Sequence, residues 1–241
     1  MEDLFVIVNP SSRAKPVLHV LDSVCRQQGI TWDVGVTHQG GQAVRLARSA
    51  RRRGVPVVAV YGGDGSVMET ARGLKDGETR LAILPGGTSN AVAVDLGIPD
   101  DLEQAVRLAC GAGAAVRLLD MGRVGETYFV LRAGIGLSAE QVRKADRAFK
   151  NRFGKVAYTL ALASVLRRAH PAHYRADLDG ERLEWDGAGC MVDNVGGFGV
   201  PGLSHDPAVD LSDGLLDVFL SRTVPVKSAL AVLTDAGREA V

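Results

Sequence analysis

Val57-Val58-Ala59-Val60-Tyr61-Gly62-Gly63-Asp64-Gly65-Ser66-Val67-Met68-Glu69-Thr70 decides how the chain is read. An apolar, valine-rich run ends in Gly-Gly-Asp-Gly, and a helical pattern follows at once. Ser66 and Glu69 have the spacing of a capping box, which predicts a helix starting at Ser66. Three glycines around one acid allow a sharp turn and let a ligand approach where a Cβ would block it. The bare N–H groups of a helix start carry partial positive charge, which suits phosphate. Asp64 does not suit phosphate directly, because two anions repel. A carboxylate at such a place makes sense if it holds Mg²⁺ or takes a proton from an attacking hydroxyl. The stretch points to phosphoryl transfer from a nucleotide; the plainer alternative is a tight strand-to-helix turn with an acid in its first turn.

Outward from this stretch, strands alternate with helices. Leu4 to Val8 is a buried strand running into Asn9-Pro10-Ser11-Ser12, and Val17, Val20, Leu21 and Val24 follow at helical spacing. Thr31 to Thr37 reads as a second strand and Gln42 to Arg53 as a basic helix with an apolar stripe of Ala43, Leu46, Ala47 and Ala50. Val55 to Val60 is the third strand, and Leu81 to Leu84 a fourth that ends in Pro85-Gly86-Gly87-Thr88-Ser89-Asn90. The alternation predicts a largely parallel α/β sheet, whose ligands sit at the carboxyl ends of the strands. All three polar turns lie at such ends, so one crevice is expected to gather them. Asp101 to Cys110 predicts a further helix.

From about Val116 the character changes. Val116–Val124 and Thr127–Ala133 read as a hairpin around Gly125-Glu126, and further strands are predicted at 172–178, 181–185, 188–194 and 215–220. Gly197 to Gly202 reads as an irregular loop, and helical patterns fall at 139–150, 155–168 and 226–240. The expected division is an α/β nucleotide-binding domain over 1–115 and a β-rich, acceptor- and metal-binding domain over 116–241.

Composition excludes several classes. Lys+Arg and Asp+Glu both number 28, which gives no argument for nucleic acid. The three cysteines are far apart and lack Cys-x-x-Cys spacing, so they read as buried thiols rather than as a zinc site or disulfides. The N-terminus begins acidic and enters a strand at once, unlike a signal peptide, and no apolar run reaches the roughly 18 residues of a membrane span. A cytoplasmic protein, peripheral at the inner membrane face, is expected. Gly134-Ile135-Gly136 imitates a dinucleotide fingerprint, but the ribose-binding acid about 20 residues on is missing. The helix 155–168 either rests on a lipid surface or packs on the neighbouring sheet. Asp206, Asp210, Asp213 and Asp217 crowd into one stretch, which is either a hard-cation loop or turn chemistry.

Asn9-Pro10, Gly62-Gly63-Asp64-Gly65-Ser66, Pro85-Gly86-Gly87-Thr88-Ser89-Asn90 and Asp213-Gly214-Leu215-Leu216-Asp217-Val218 occur in that order. In this the chain resembles the diacylglycerol kinase catalytic-domain family, which includes sphingosine kinases and bacterial soluble lipid kinases. The resemblance covers nearly the whole chain. It implies an ATP- and Mg²⁺-dependent kinase acting on a lipid hydroxyl, with a phosphofructokinase/NAD-kinase-like α/β domain followed by a β-sandwich. By position it implies ATP contacts at Asn9, Thr37, Gly62, Gly63, Asp64, Gly65, Ser66, Val67, Met68, Thr88 and Asn90. Asp64 would be the acidic catalytic residue, and Asp210, Asp213 and the carbonyl of Leu215 would hold magnesium. Gly134 and Gly136 match a glycine-rich turn near the acceptor side. Expected partners are a lipid acceptor and, transiently, a membrane surface; oligomeric state stays open, a homodimer included.

The sequence departs from the family pattern in three places. Arg13 stands where glycine is usual, and Ser66 where threonine is commoner. The resemblance implies a returning segment after the final helix, with an Asp-Gly-Glu turn whose glutamate would be the general base; no such turn follows the helical pattern at 226–240 before Val241. The expectation is a C-terminally truncated second domain, or a different base, with Asp64 the local candidate. The competing readings are a catalytically inactive nucleotide- or lipid-binding module, and a related NAD or sugar-phosphate kinase.

Overall fold

Leu4–Val8 (β1), Val57–Gly62 (β3) and Arg80–Pro85 (β4), with Trp32–Val36 (β2) at the edge, form a four-stranded all-parallel sheet in the order β2-β1-β3-β4. The structure is a computed structural model that describes residues 3–12, 16–111, 113–136, 172–200, 203–204 and 209–221. β1 is buried along its whole length, as a central parallel strand covered on both faces must be. Its side chains alternate: Phe5 and Ile7 join Val58 and Val60 on one face, while Leu4, Val6 and Val8 join Ala59 and Tyr61 on the other. Helices α2 (Gln42–Arg52) and α3 (Asp64–Leu74) cover the first face, and α1 (Val17–Gln28) and α5 (Leu102–Ala109) cover the second. The predicted parallel α/β layer is present.

The start of α3 corrects the sequence reading. The helix begins at Asp64 rather than Ser66, with Gly63 in extended conformation at its N-cap and its carbonyl accepting from Ser66 and Val67 N–H. Ser66 and Glu69 make no capping box. Glu69 instead reaches the neighbouring helix, accepting from Gly41 N–H at 2.8 Å and Ala43 N–H at 3.3 Å. α2 has no side-chain cap of its own, so the Glu69 carboxylate satisfies its orphan donors. A short helix α4 (Ala91–Asp95), absent from the sequence reading, follows the turn after β4.

The chain forms two compact units, one of residues 1–131 with 194–216, the other of residues 132–193 with 217–241. The first unit also holds the hairpin of β5 (Gly122–Val124) and β6 (Thr127–Phe129). The predicted strand from 116 is thus much shorter than expected, since residues 114–121 form no strand. Asn194 ties the returning segment into this unit: its backbone N–H donates to Leu131 O, and its side-chain amide donates to both Asp120 O and Val130 O, each at 2.8 Å. Gly197–Val200 (β11) pairs with Leu203–Ser204 (β12), where the sequence suggests an irregular loop.

In the second unit, β7 (Arg132–Gly136), β10 (Gly189–Asp193) and β13 (Asp217–Ser221) make an antiparallel sheet in the order β13-β10-β7. Gly134 and Gly136 lie within β7, opposite Met191 and Gly189, rather than in a turn. β8 (Ala172–Leu178) and β9 (Glu181–Gly187) form a hairpin whose Asp179-Gly180 turn has two positive φ values, as a two-residue hairpin turn requires. Tyr174 stacks on its cross-strand partner Trp185 with centroids 5.1 Å apart. The helical patterns at 139–150, 155–168 and 226–240, and Asp206, lie outside the described residues.

Candidate active site

Between β1 and β3 the strand order reverses: the chain runs from β1 to β2 on one side, then crosses back to β3 and β4 on the other. Ligands of open parallel sheets bind outside the carboxyl ends at such a switch point. The turns after β1, β3 and β4 meet there. The Asn9 side-chain amide donates to Ser66 Oγ at 3.0 Å, and Gly86 N–H donates to Gly62 O at 3.0 Å. Asn9 also braces its own loop, its Oδ1 accepting from Ser11 N–H at 3.0 Å.

The two glycine turns touch backbone to backbone. A Cβ on Gly87 would fall 2.4 Å from Gly63 Cα, and one on Gly62 would fall 2.5 Å from Ser66 Cβ, so neither position admits a side chain without a shift. Asn90, buried and left-handed at φ 54, closes the second turn, with Oδ1 accepting from Gly87 N–H at 2.8 Å and Nδ2 donating to Gly87 O at 3.0 Å. Gly65 is different. It is exposed, and a Cβ there would meet nothing within 4 Å. Glycine at an open position in a first helical turn costs helix stability, and keeps the surface bare for a ligand.

Asp64 sits at this junction. Its Oδ1 is buried without a hydrogen-bond partner. Burial pushes its pKa up, against the backbone amides of Val92, Ala91 and Asn90 at the start of α4, which favour the charged form. A partly desolvated carboxylate with an idle oxygen beside two glycine turns has the character of a proton acceptor.

The structure brings together Asn9, Gly62, Gly63, Asp64, Gly65, Ser66 and Asn90, with Thr88 exposed on the same turn as Asn90. Val67 points into the core, 3% exposed, and Met68 is half-buried behind it. Thr37 is buried beyond the end of β2, its N–H donating to Val8 O and its hydroxyl 3.4 Å from the same oxygen. Asn9 and Asn90 have their amides engaged within the turns, so their visible work is to hold the loops. Sequence reading passed over Ser12, whose buried Oγ has no partner and whose Cβ would stand 3.0 Å from a Cβ on Gly86.

The acidic loop belongs to the same compact unit as the glycine turns, because Leu211 packs with Ala91 and Val195. Asp210 Oδ1 accepts from Arg117 Nη2 at 2.9 Å and from Ser212 N–H at 3.0 Å; Asp213 Oδ1 accepts from Leu215 N–H at 2.9 Å. Asp120, which sequence reading did not link to this loop, accepts from Gly214 N–H at 2.7 Å. Among the described residues no three His, Cys, Asp or Glu side chains are grouped to hold a metal. The donor chemistry nonetheless suits a hard cation: two carboxylates and a main-chain carbonyl within six residues.

Residues 3–124 match the diacylglycerol kinase catalytic domain, and residues 132–238 match the YegS C-terminal NAD kinase beta sandwich-like domain. The chain is 34% identical over 232 residues to a protein of Chromohalobacter salexigens named "Probable lipid kinase YegS-like", covering 91% of this chain and 71% of that one. It is 31% identical over 220 residues to "Probable lipid kinase YegS" of Escherichia coli, covering 88% and 72%. A crystal structure of a diacylglycerol kinase from Bacillus anthracis superposes with a TM-score of 0.73 at 25% identity, covering 97% of this chain and 78% of that one. The chain belongs to the diacylglycerol kinase catalytic-domain family, with the parallel α/β unit and β-sandwich-like domain of that family.

Proposed function

We propose that this chain transfers the γ-phosphoryl group of ATP to the hydroxyl of a lipid, with diacylglycerol or a related glycerolipid as acceptor. The observation that carries the reading is the meeting of three strand-end turns at the switch point of the sheet, around a carboxylate with one buried, unpartnered oxygen. The relatives named lipid kinases support the acceptor class.

The bare turn Gly62–Gly65 receives the ATP phosphates, which lie against the first N–H groups of α3 and over the open face of Gly65. Thr88 borders the opening. Asp64 accepts the hydroxyl proton of the acceptor as its oxygen bonds to the γ-phosphorus. The bond between that phosphorus and the bridging oxygen breaks, and ADP leaves with the electron pair. The raised pKa of Asp64 suits it to this proton. Asn9 and Asn90 hold the loops in register, so the site is set before substrate arrives. Asp210, Asp213 and the Leu215 carbonyl are the residues that would hold Mg²⁺, whose positive charge offsets that of the phosphate oxygens.

The lipid acceptor requires contact with a membrane surface, and no described helix is long and apolar enough to cross one. The test is transfer of labelled γ-phosphate from Mg-ATP to defined diacylglycerol, sphingoid-base and glycerophospholipid vesicles, with products separated by chromatography. Labelled phosphatidic acid is the expected product. A folded, ATP-binding protein that labels no lipid overturns the reading in favour of a binding module.

A further inference from the structure

Far along the chain from the glycine turns, two cysteines that lie 85 residues apart meet across a helix pair. Cys25 near the end of α1 and Cys110 at the end of α5 have their sulfurs 3.6 Å apart. All the described cysteines are free thiols. We propose that Cys25 and Cys110 form a reversible disulfide that staples α5 to α1 under oxidising conditions.

The helix pair already holds the two residues in register. Arg107 Nη2 donates to Gln27 Oε1 at 3.1 Å, two residues past Cys25 on one helix and three before Cys110 on the other. Val24, Cys25, Val106 and Ala109 share one apolar cluster, and Cys110 packs against it. A disulfide requires a sulfur separation of about 2.05 Å, so the gap closes by roughly 1.5 Å. That movement falls on the last turn of α5, which is followed by Gly111 at φ 91. A soft-metal site is a poorer reading, because among the described residues no third His, Cys, Asp or Glu joins the pair.

The two sulfurs have different tasks. Cys25 is fully buried and Cys110 half-buried, so an oxidant meets Cys110 first. Burial pushes the Cys25 thiol up to about 12, with Cys110 adding to the shift. Burial also raises Cys110, but the Cys25 thiol and the Arg107 guanidinium favour its thiolate. The resting pair is therefore a dithiol, and Cys110 is the attacking sulfur. Its thiolate attacks a low-molecular-weight disulfide, forms a mixed disulfide and releases one thiolate. Cys25 then loses its proton and attacks the Cys110 sulfur, expelling the second thiolate. One protein disulfide and two small thiols result, and the two protons from the cysteines end on the released thiols.

The experiment is incubation of the folded, reduced chain with oxidised glutathione, then alkylation, intact-mass and non-reducing peptide analysis, with thermal melts in parallel. The expected result is loss of two hydrogens, a single peptide pair joining Cys25 to Cys110, and a Tm raised by roughly 5–10 °C, reversed by dithiothreitol. Cys110→Ser removes both the link and the shift. A stable glutathione adduct on Cys110, a link through Cys190, a covalent dimer, no oxidation, or a link that leaves Tm unmoved each overturns the proposal.

Discussion

Asp64 and the pair Asp210 and Asp213 are carboxylates of one compact unit, placed in opposite circumstances. Asp64 is held at a backbone-built junction, its Oδ1 buried and idle. Asp210 and Asp213 lie on an exposed loop, each with an oxygen tied to the loop's own amides and, for Asp210, to Arg117. The difference separates chemistry from geometry. A carboxylate that keeps one oxygen buried and idle, while amides hold the group in place, raises the free energy of the folded state, and such a cost persists where the group has work to do. A carboxylate that accepts from nearby N–H groups is first a turn former, and any further role has to be added from outside.

The sharpest way to break this comparison is Asp64→Asn, which keeps shape and removes the charge. It is expected to lower kcat by about 10²–10⁴-fold. The folded state holds the Asp64 proton more tightly than the unfolded chain does, because the folded pKa is raised. That contribution to stability is present below the ordinary aspartate range and is lost as pH rises through the folded pKa. At neutral pH the variant should therefore melt at the same temperature as the parent or higher, and melts from pH 4 to 8 should show its advantage growing with pH. A variant that is both active and less stable would make Asp64 a structural residue.

Gly87→Ala tests the backbone contact beneath the carboxylate. The added methyl would stand 2.4 Å from Gly63 Cα, where no flexible side chain can yield. The expected loss is roughly 1–3 kcal/mol of stability together with weakened ATP binding, read by thermal melts and titration calorimetry. Gly65→Ala is the companion: it meets no protein atom, so the fold should be unaffected while the ATP Kd rises.

Asp213→Asn sharpens the other side. If the loop takes Mg²⁺ in the reaction, the Mg²⁺ concentration for half-maximal activity should rise at least about tenfold, with the melt shifted by less than about 1 kcal/mol. An unchanged Mg²⁺ dependence leaves the loop with turn chemistry alone. The smallest effect is expected at Glu69→Ala. It frees the amides of Gly41 and Ala43 and costs about 1 kcal/mol, with kcat unmoved, since Glu69 serves the neighbouring helix rather than the site.

How much was legible follows from the range of the forces involved. The parallel sheet showed in its buried valine-rich runs, the turns of the site in the punctuation at their carboxyl ends, and the strands on either side of Asp179-Gly180 in their alternation, because burial period and turn chemistry are local properties. Ser66 and Glu69 misled for the same reason: the spacing is local, but a nearer partner for each stood on another element, Asn9 for Ser66 and Gly41 for Glu69.

The sequence by itself determined the strand-turn-helix units and the residue types at their junctions. Only the tertiary structure decided that Gly63 and Gly87 touch, that one oxygen of Asp64 is buried, that Asp120 accepts from Gly214 N–H, and that the segment from Asn194 returns to the first unit. Each of these joins residues distant along the chain. No local preference encodes such a contact; it exists because packing the sheet and its helices leaves a single place where those backbones and side chains can meet.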